Sequence, residues 1–189
     1  MVMKESDDAE LAVGDAAPEF ELPGSDGESY TLDSFDTEAV LLVFTCNHCP
    51  YAQAKVDTLN ALAERYDDCA VVGVNPNDET EYPDDSFERM VELVADGTIA
   101  YDAYLRDDSQ EVARAYGAAC TPDPFLLAKE GDEWRVVYHG RLDDAQSPDA
   151  APSGEPGFEV AQRIDALLAG EDVEPAEAPA RGCSIKWKN

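Results

Sequence analysis

The chain has 189 residues, 44% of them hydrophobic, and its 42 acidic residues against 13 basic ones give a formal charge of −29 at pH 7. This length and apolar content suit one domain with a full hydrophobic core. The charge argues against nucleic acid and anionic membranes as partners, because both would be repelled.

The acidic residues are spread along the whole chain and lysines are fewer than arginines, five against eight. That pattern resembles proteins of salt-in halophiles such as the haloarchaea, where molar salt shortens the Debye length to roughly 3 Å and screens self-repulsion. Residues 1–15 carry Lys4, Glu5, Asp7, Asp8 and Glu10 with no apolar segment, which predicts a flexible acidic lead-in and no secretory leader. No apolar run approaches the roughly 18 residues that span a bilayer. The expected location is cytoplasmic, and five cysteines in a reducing compartment point to reactive, metal-binding or buried thiols rather than a disulfide framework.

From Pro18, Phe20-Glu21-Leu22, the turn Pro23-Gly24-Ser25-Asp26-Gly27 and Tyr30-Thr31-Leu32 predict an N-terminal β-hairpin. Ala39 to Phe44 is a continuous apolar run, expected as a strand covered on both faces. Pro50 opens a helix on which Ala52, Val56, Leu59, Leu62, Ala63 and Tyr66 share one face. Cys69 to Val74 reads as a parallel strand, followed by an acidic loop through Asp85 expected to be solvated. Phe87 to Val94 predicts a helix, Ala100 to Leu105 a short strand, and Ser109 to Tyr116 a short helix stopped by Gly117.

Phe125 to Ala128 and Arg135 to Tyr138 predict a strand pair around Glu130-Gly131-Asp132. Residues 145–157 predict an exposed loop and Phe158 to Leu168 a closing helix. The sum is an α/β fold with a central mixed sheet flanked by helices, its domain at residues 16–169 and a tail at 170–189 carrying Cys183.

The chemistry centres on Phe44-Thr45-Cys46-Asn47-His48-Cys49-Pro50, two cysteines at dithiol spacing where a strand meets a helix. A helix N-terminus stabilises a thiolate. Cys46 is therefore expected to have a lowered pKa and to attack, Cys49 to resolve, and His48 to tune the thiolate. A zinc site completed by His48, Cys120 or Cys183 is the competing reading, and no cofactor or metal is assigned. Cys69 reads as a small buried hydrophobe. Paired acids at Asp84-Asp85, Asp107-Asp108 and Asp143-Asp144 read as solvated turns, and His139 as structural.

Phe44 to Tyr51, Ala17-Pro18-Glu19-Phe20-Glu21-Leu22, Ala115 to Pro122 and Gly182 to Lys188 resemble the peroxiredoxin-like (AhpC/TSA-type) members of the thioredoxin-fold superfamily. The resemblance implies a thioredoxin-like fold, a cis-proline at Thr121-Pro122 facing the redox cysteines, and protein or small-molecule disulfides and thiols as substrates. Thr45 stands where thioredoxins carry Trp, and the Thr, Cys, Arg arrangement of peroxiredoxins is not reproduced, with Arg106 and Arg141 left as candidates to polarise a peroxide. On this reading the protein is a thiol–disulfide oxidoreductase. The alternatives are a thiol peroxidase and a non-catalytic redox-sensing or zinc-stabilised binding module. The resemblance sets Cys120 beside the dithiol, as a resolving or a packed thiol. Cys183, near Arg181, Lys186 and Lys188, is expected either to reach the site through a flexible tail and resolve, or to lie in a tail anchored by Ile185 and Trp187.

Overall fold

A computed structural model describes residues 2–7 and 10–189. The chain begins with β1 (Met3–Glu5), then the hairpin β2 (Leu22–Pro23) and β3 (Ser29–Tyr30), and then β4 (Ala39–Phe44). Helices α1 (Pro50–Gln53) and α2 (Val56–Arg65), strand β5 (Cys69–Asn75), a 3-10 turn at Pro83–Asp85, α3 (Phe87–Ala95) and β6 (Ala103–Arg106) follow. Next come α4 (Glu111–Tyr116), β7 (Cys120–Thr121), β8 (Asp123–Glu130), β9 (Glu133–His139), α5 (Phe158–Leu168) and β10 (Arg181–Ser184).

The main sheet has the order β6-β5-β4-β8-β9, parallel across β6, β5 and β4 and antiparallel across β4, β8 and β9. Strand alternation sends Val40, Leu42 and Phe44 of β4 into one core with Phe20, Tyr116, Phe125 and Trp134. Ala39, Leu41 and Val43 face the other way, against Leu59 and Leu62 of α2 and Val160 and Ile164 of α5. Every residue of β4 is therefore buried, as the continuous apolar run predicts. Among the described residues no helix is long and apolar enough to cross a membrane.

Three expectations are corrected. The lead-in was expected without fixed structure; Met1, Asp8 and Ala9 lie outside the described residues, but residues 3–5 form β1, antiparallel to β10. Its backbone finds partners there, with Ser184 N–H donating to Val2 O (2.8 Å) and Ser6 N–H to Ala180 O (2.9 Å). The single helix after Pro50 is broken at Ala54-Lys55, where Lys55 N–H donates back three residues to Ala52 O (3.0 Å) and tightens the turn.

The acidic pairs are not wholly solvated either, for Asp85, Asp107 and Asp143 are each buried. Each turns inward to cap backbone N–H groups: Asp107 accepts from Ala113 (2.8 Å), Asp143 from Gly157 (2.7 Å) and Asp85 from Asn47 (2.6 Å).

Candidate active site

The site forms at the carboxyl ends of β4 and β5, where strands of an open sheet deliver side chains into a crevice. Phe44 closes β4 opposite Asp123, the first residue of β8. The cis bond Thr121-Pro122 just upstream is thereby set against the loop that carries Cys46. Cys46 Sγ lies 3.3 Å from Thr121 Oγ1, and Cys49 Sγ lies 3.5 Å from the Thr121 carbonyl oxygen.

Cys49 is disulfide-bonded to Cys183 across 134 residues, with a Cα separation of 6.3 Å, while Cys46 keeps a free thiol. Cys46, Cys49 and Cys183 pack with Ala52 into one buried apolar cluster. Cys183 arrives as part of a docked strand rather than by tail flexibility. Its strand is anchored as well, for Ile185 is buried in the main core and Trp187 stacks under Arg114.

Cys49, not Cys46, is the N-cap of α1, because Pro50 occupies the first helical position. The pKa of Cys46 is not lowered: burial, then the charge of Asp85, push its thiol up to about 12, against the lowering contacts of Thr121 and the Cys49 and His48 backbone. In this disulfide-bonded state Cys46 holds its proton.

Asp85, unnoticed in the sequence beyond an acidic pair, organises the loop. Its Oδ1 accepts the N–H groups of Asn47 (2.6 Å) and His48 (3.2 Å), and its Oδ2 meets His48 Nδ1 and accepts from Asn77 Nδ2 (2.8 Å). His48 stacks on Tyr82 at 5.2 Å between ring centroids, and its Nε2 is buried without a hydrogen-bond partner among the described residues. Cys46 Sγ, a His48 ring nitrogen and an Asp85 oxygen come within 4.8 Å of one another. The Asp85 oxygens already accept N–H donors and meet the imidazole, so a thiol, an imidazole and a carboxylate face one another here. On its far side Cys46 borders a cleft of about 510 Å³ shared with His48, Gln53, Asp57, Arg89 and Ile99.

The remaining candidates separate. Cys120 and Thr121 are successive residues of β7 and point to opposite faces, so Cys120 turns away from the cysteine cluster. It is fully buried and burial raises its pKa strongly, the behaviour of a packed thiol. Cys69 is likewise buried and pushed up to about 12. Arg106 donates to the backbone carbonyls of Asn75, Asn77 and Asp85, thereby holding the Asp85 loop, and Arg141 pairs in a two-pronged fashion with Glu159.

Asp123, beside the cis-proline, is fully buried and accepts from Ser6 Oγ (2.6 Å) and Ala119 N–H (3.0 Å), with His139 Nε2 at 2.8 Å. His139 also stacks on Phe125 at 3.9 Å.

A model of the AhpC/TSA family matches residues 13–135. No curated protein matches the sequence. Among solved structures, a hypothetical protein from Sinorhizobium meliloti is 38% identical over 94% of this chain and 96% of its own, with a TM-score of 0.86. An uncharacterised conserved protein from Geobacillus kaustophilus is 35% identical over 100% of this chain and 97% of its own, with a TM-score of 0.88. A candidate thiol:disulfide interchange protein (DsbE) from Chlorobium tepidum is 25% identical over 67% of this chain and 86% of its own, with a TM-score of 0.54.

Proposed function

Because the chain belongs to the AhpC/TSA family and has a thioredoxin-like redox fold, we propose that it is a thiol–disulfide oxidoreductase whose exchanging pair is Cys46 and Cys49. One observation carries the reading: a free thiol, Cys46, stands in the same buried cluster as a disulfide-bonded Cys49, beside the cis-proline.

In the reduced protein a partner disulfide enters the cleft, where Cys46 is the first sulfur it meets. The Cys46 thiolate attacks one sulfur of that disulfide and releases the other half as a thiolate. The Cys49 thiolate then attacks the Cys46 sulfur, forming Cys46–Cys49 and releasing the second half. Burial and the Asp85 carboxylate oppose the thiolate in the disulfide-bonded state, so attack by Cys46 belongs to the reduced protein. Thr121 Oγ1 and the backbone N–H groups of the loop are the donors available to the Cys46 sulfur.

Substrates are thiols and disulfides, small or borne on a protein. The scattered acidic residues support work at high salt.

The test is reduction of hydroxyethyl disulfide and of insulin by full-length protein supplied with a regenerating reductant. Turnover by the parent and its loss in Cys46→Ser are expected. Full activity in Cys46→Ser would remove the mechanism. Hydrogen peroxide consumption measured on the same preparation separates this reading from a thiol peroxidase, which the family match favours as the second reading.

A further inference from the structure

Exchange by Cys46 and Cys49 needs no third cysteine, yet Cys183 is bonded to Cys49 and its strand is shaped for that position. β10 lies antiparallel on β7 with Cys183 opposite Thr121 and Ser184 opposite Cys120. Gly182 is required there, because a Cβ would land inside contact distance of the Thr121 carbonyl carbon and oxygen, backbone atoms that cannot swing aside.

The segment is gripped on both sides of its cysteine. Upstream, Arg181 pairs with Glu5 and Ser6 N–H donates to Ala180 O (2.9 Å). Downstream, Lys186 N–H donates to Asn77 Oδ1 (2.9 Å), while Gln110 accepts from Lys188 N–H (2.9 Å) and donates to Lys186 O (2.9 Å). Gln110 is itself held at φ +64°, a left-handed conformation that a non-glycine residue keeps only when its surroundings impose it.

We propose that Cys183 is a third redox cysteine, and that β10 is an internal exchange partner which takes the disulfide over from Cys46–Cys49 at Cys49. The inference rests on the exchange reading above. The Cys183 thiolate attacks the Cys49 sulfur; the Cys49–Cys183 bond forms and the Cys46–Cys49 bond breaks. Cys46 leaves as a thiolate and takes up the proton that Cys183 gave up, so no oxidant or reductant is consumed. Cys46 ends as a buried thiol against Thr121, with β10 covering the β7 edge beside the cis-proline. A partner seeking that edge must displace the tail, and can do so only once Cys49–Cys183 is reduced.

Reduced full-length protein is pulsed with one equivalent of diamide, quenched in acid at intervals, alkylated and mapped by mass spectrometry. Diamide oxidises dithiols directly, so the map does not depend on any external disulfide being a substrate. Cys46–Cys49 is expected first, converting to Cys49–Cys183. Gly182→Ala is expected to stop at Cys46–Cys49 with Cys183 alkylated, and Cys183→Ser, which leaves the strand's backbone unaltered, to stop there too. Cys46→Ser is expected to form Cys49–Cys183 about tenfold more slowly or worse.

The relay is overturned if Cys46→Ser forms that bond as fast as the parent, if Gly182→Ala retains it in full, or if the parent ends at Cys46–Cys49. The expected order of bonds in a protein that fails to reduce hydroxyethyl disulfide supports the relay and overturns only the exchange reading.

Discussion

Reduction of Cys49–Cys183 should cost this fold a large part of its stability, through the unfolded chain rather than the folded one. The bond joins residues 134 apart in sequence, and in the chain-entropy account closing so long a loop restricts the unfolded ensemble by about 5 kcal/mol at 25 °C. For a chain of this size that corresponds to a fall in Tm of about 10–20 °C. The strand itself is held by backbone pairing and by Gln110 in either state, so the native structure changes little. Differential scanning calorimetry with and without a phosphine reductant measures the difference. Cys183→Ser should melt with the reduced parent and respond far less to reductant, because a Cys46–Cys49 bond closes only a three-residue loop, worth about 1–2 kcal/mol. Equal reductant shifts in the parent and in Cys183→Ser would refute the argument.

Stability should also fall in alkali. Folded Cys46 and Cys69 hold their protons to about pH 12 while unfolded thiols lose theirs near about 8.5, so the stabilisation is complete below that lower value and lost as pH rises toward 12; a urea midpoint unchanged between pH 8 and pH 11 would contradict this. Asp85→Asn removes a charge that raises the Cys46 pKa, so iodoacetamide should label Cys46 of the oxidised variant faster at pH 8, and an unchanged or slower rate would count against the placement of that carboxylate. Asp123→Ala removes the shared acceptor of a buried Ser6 hydroxyl and the Ala119 N–H and takes His139's carboxylate partner away, for an expected loss of about 1–3 kcal/mol in urea denaturation; a loss below about 0.5 kcal/mol would show those groups to be satisfied otherwise. With a formal charge of −29, circular dichroism should report a Tm that climbs from dilute buffer to molar KCl, and a flat response would show that self-repulsion does not limit the fold.

Elements whose burial is written in their own residues were legible in the sequence. The unbroken apolar run of β4 announces a strand covered on both faces, and Phe158–Leu168 repeats its apolar positions at helical spacing. The sequence was silent where a residue's state depends on a distant partner. Met3–Glu5 has no strand-like pattern of its own and pairs only because residues 181–183 come alongside. Asp84 and Asp85 look alike in the sequence, yet only Asp85 faces the N–H groups of Asn47 and His48.

The cysteines follow the same division. Spacing marked Cys46 and Cys49 as a dithiol, but connectivity among five cysteines does not follow from spacing, and Cys183 emerged as the partner of Cys49 through strand pairing. Cys120 was drawn toward the site by its neighbours Thr121 and Pro122, and the two-residue periodicity of a strand turned it away.

The order β1-β10-β7 makes β10 the hydrogen-bonded neighbour of the N-terminal strand. A partner that peels β10 from β7, open to it only once Cys49 is reduced, also moves the strand on which β1 is paired, so an event at one end of the polypeptide is heard at the other. A spectroscopic probe near residue 3 would then report the departure of β10 from β7, and stay silent on reduction alone.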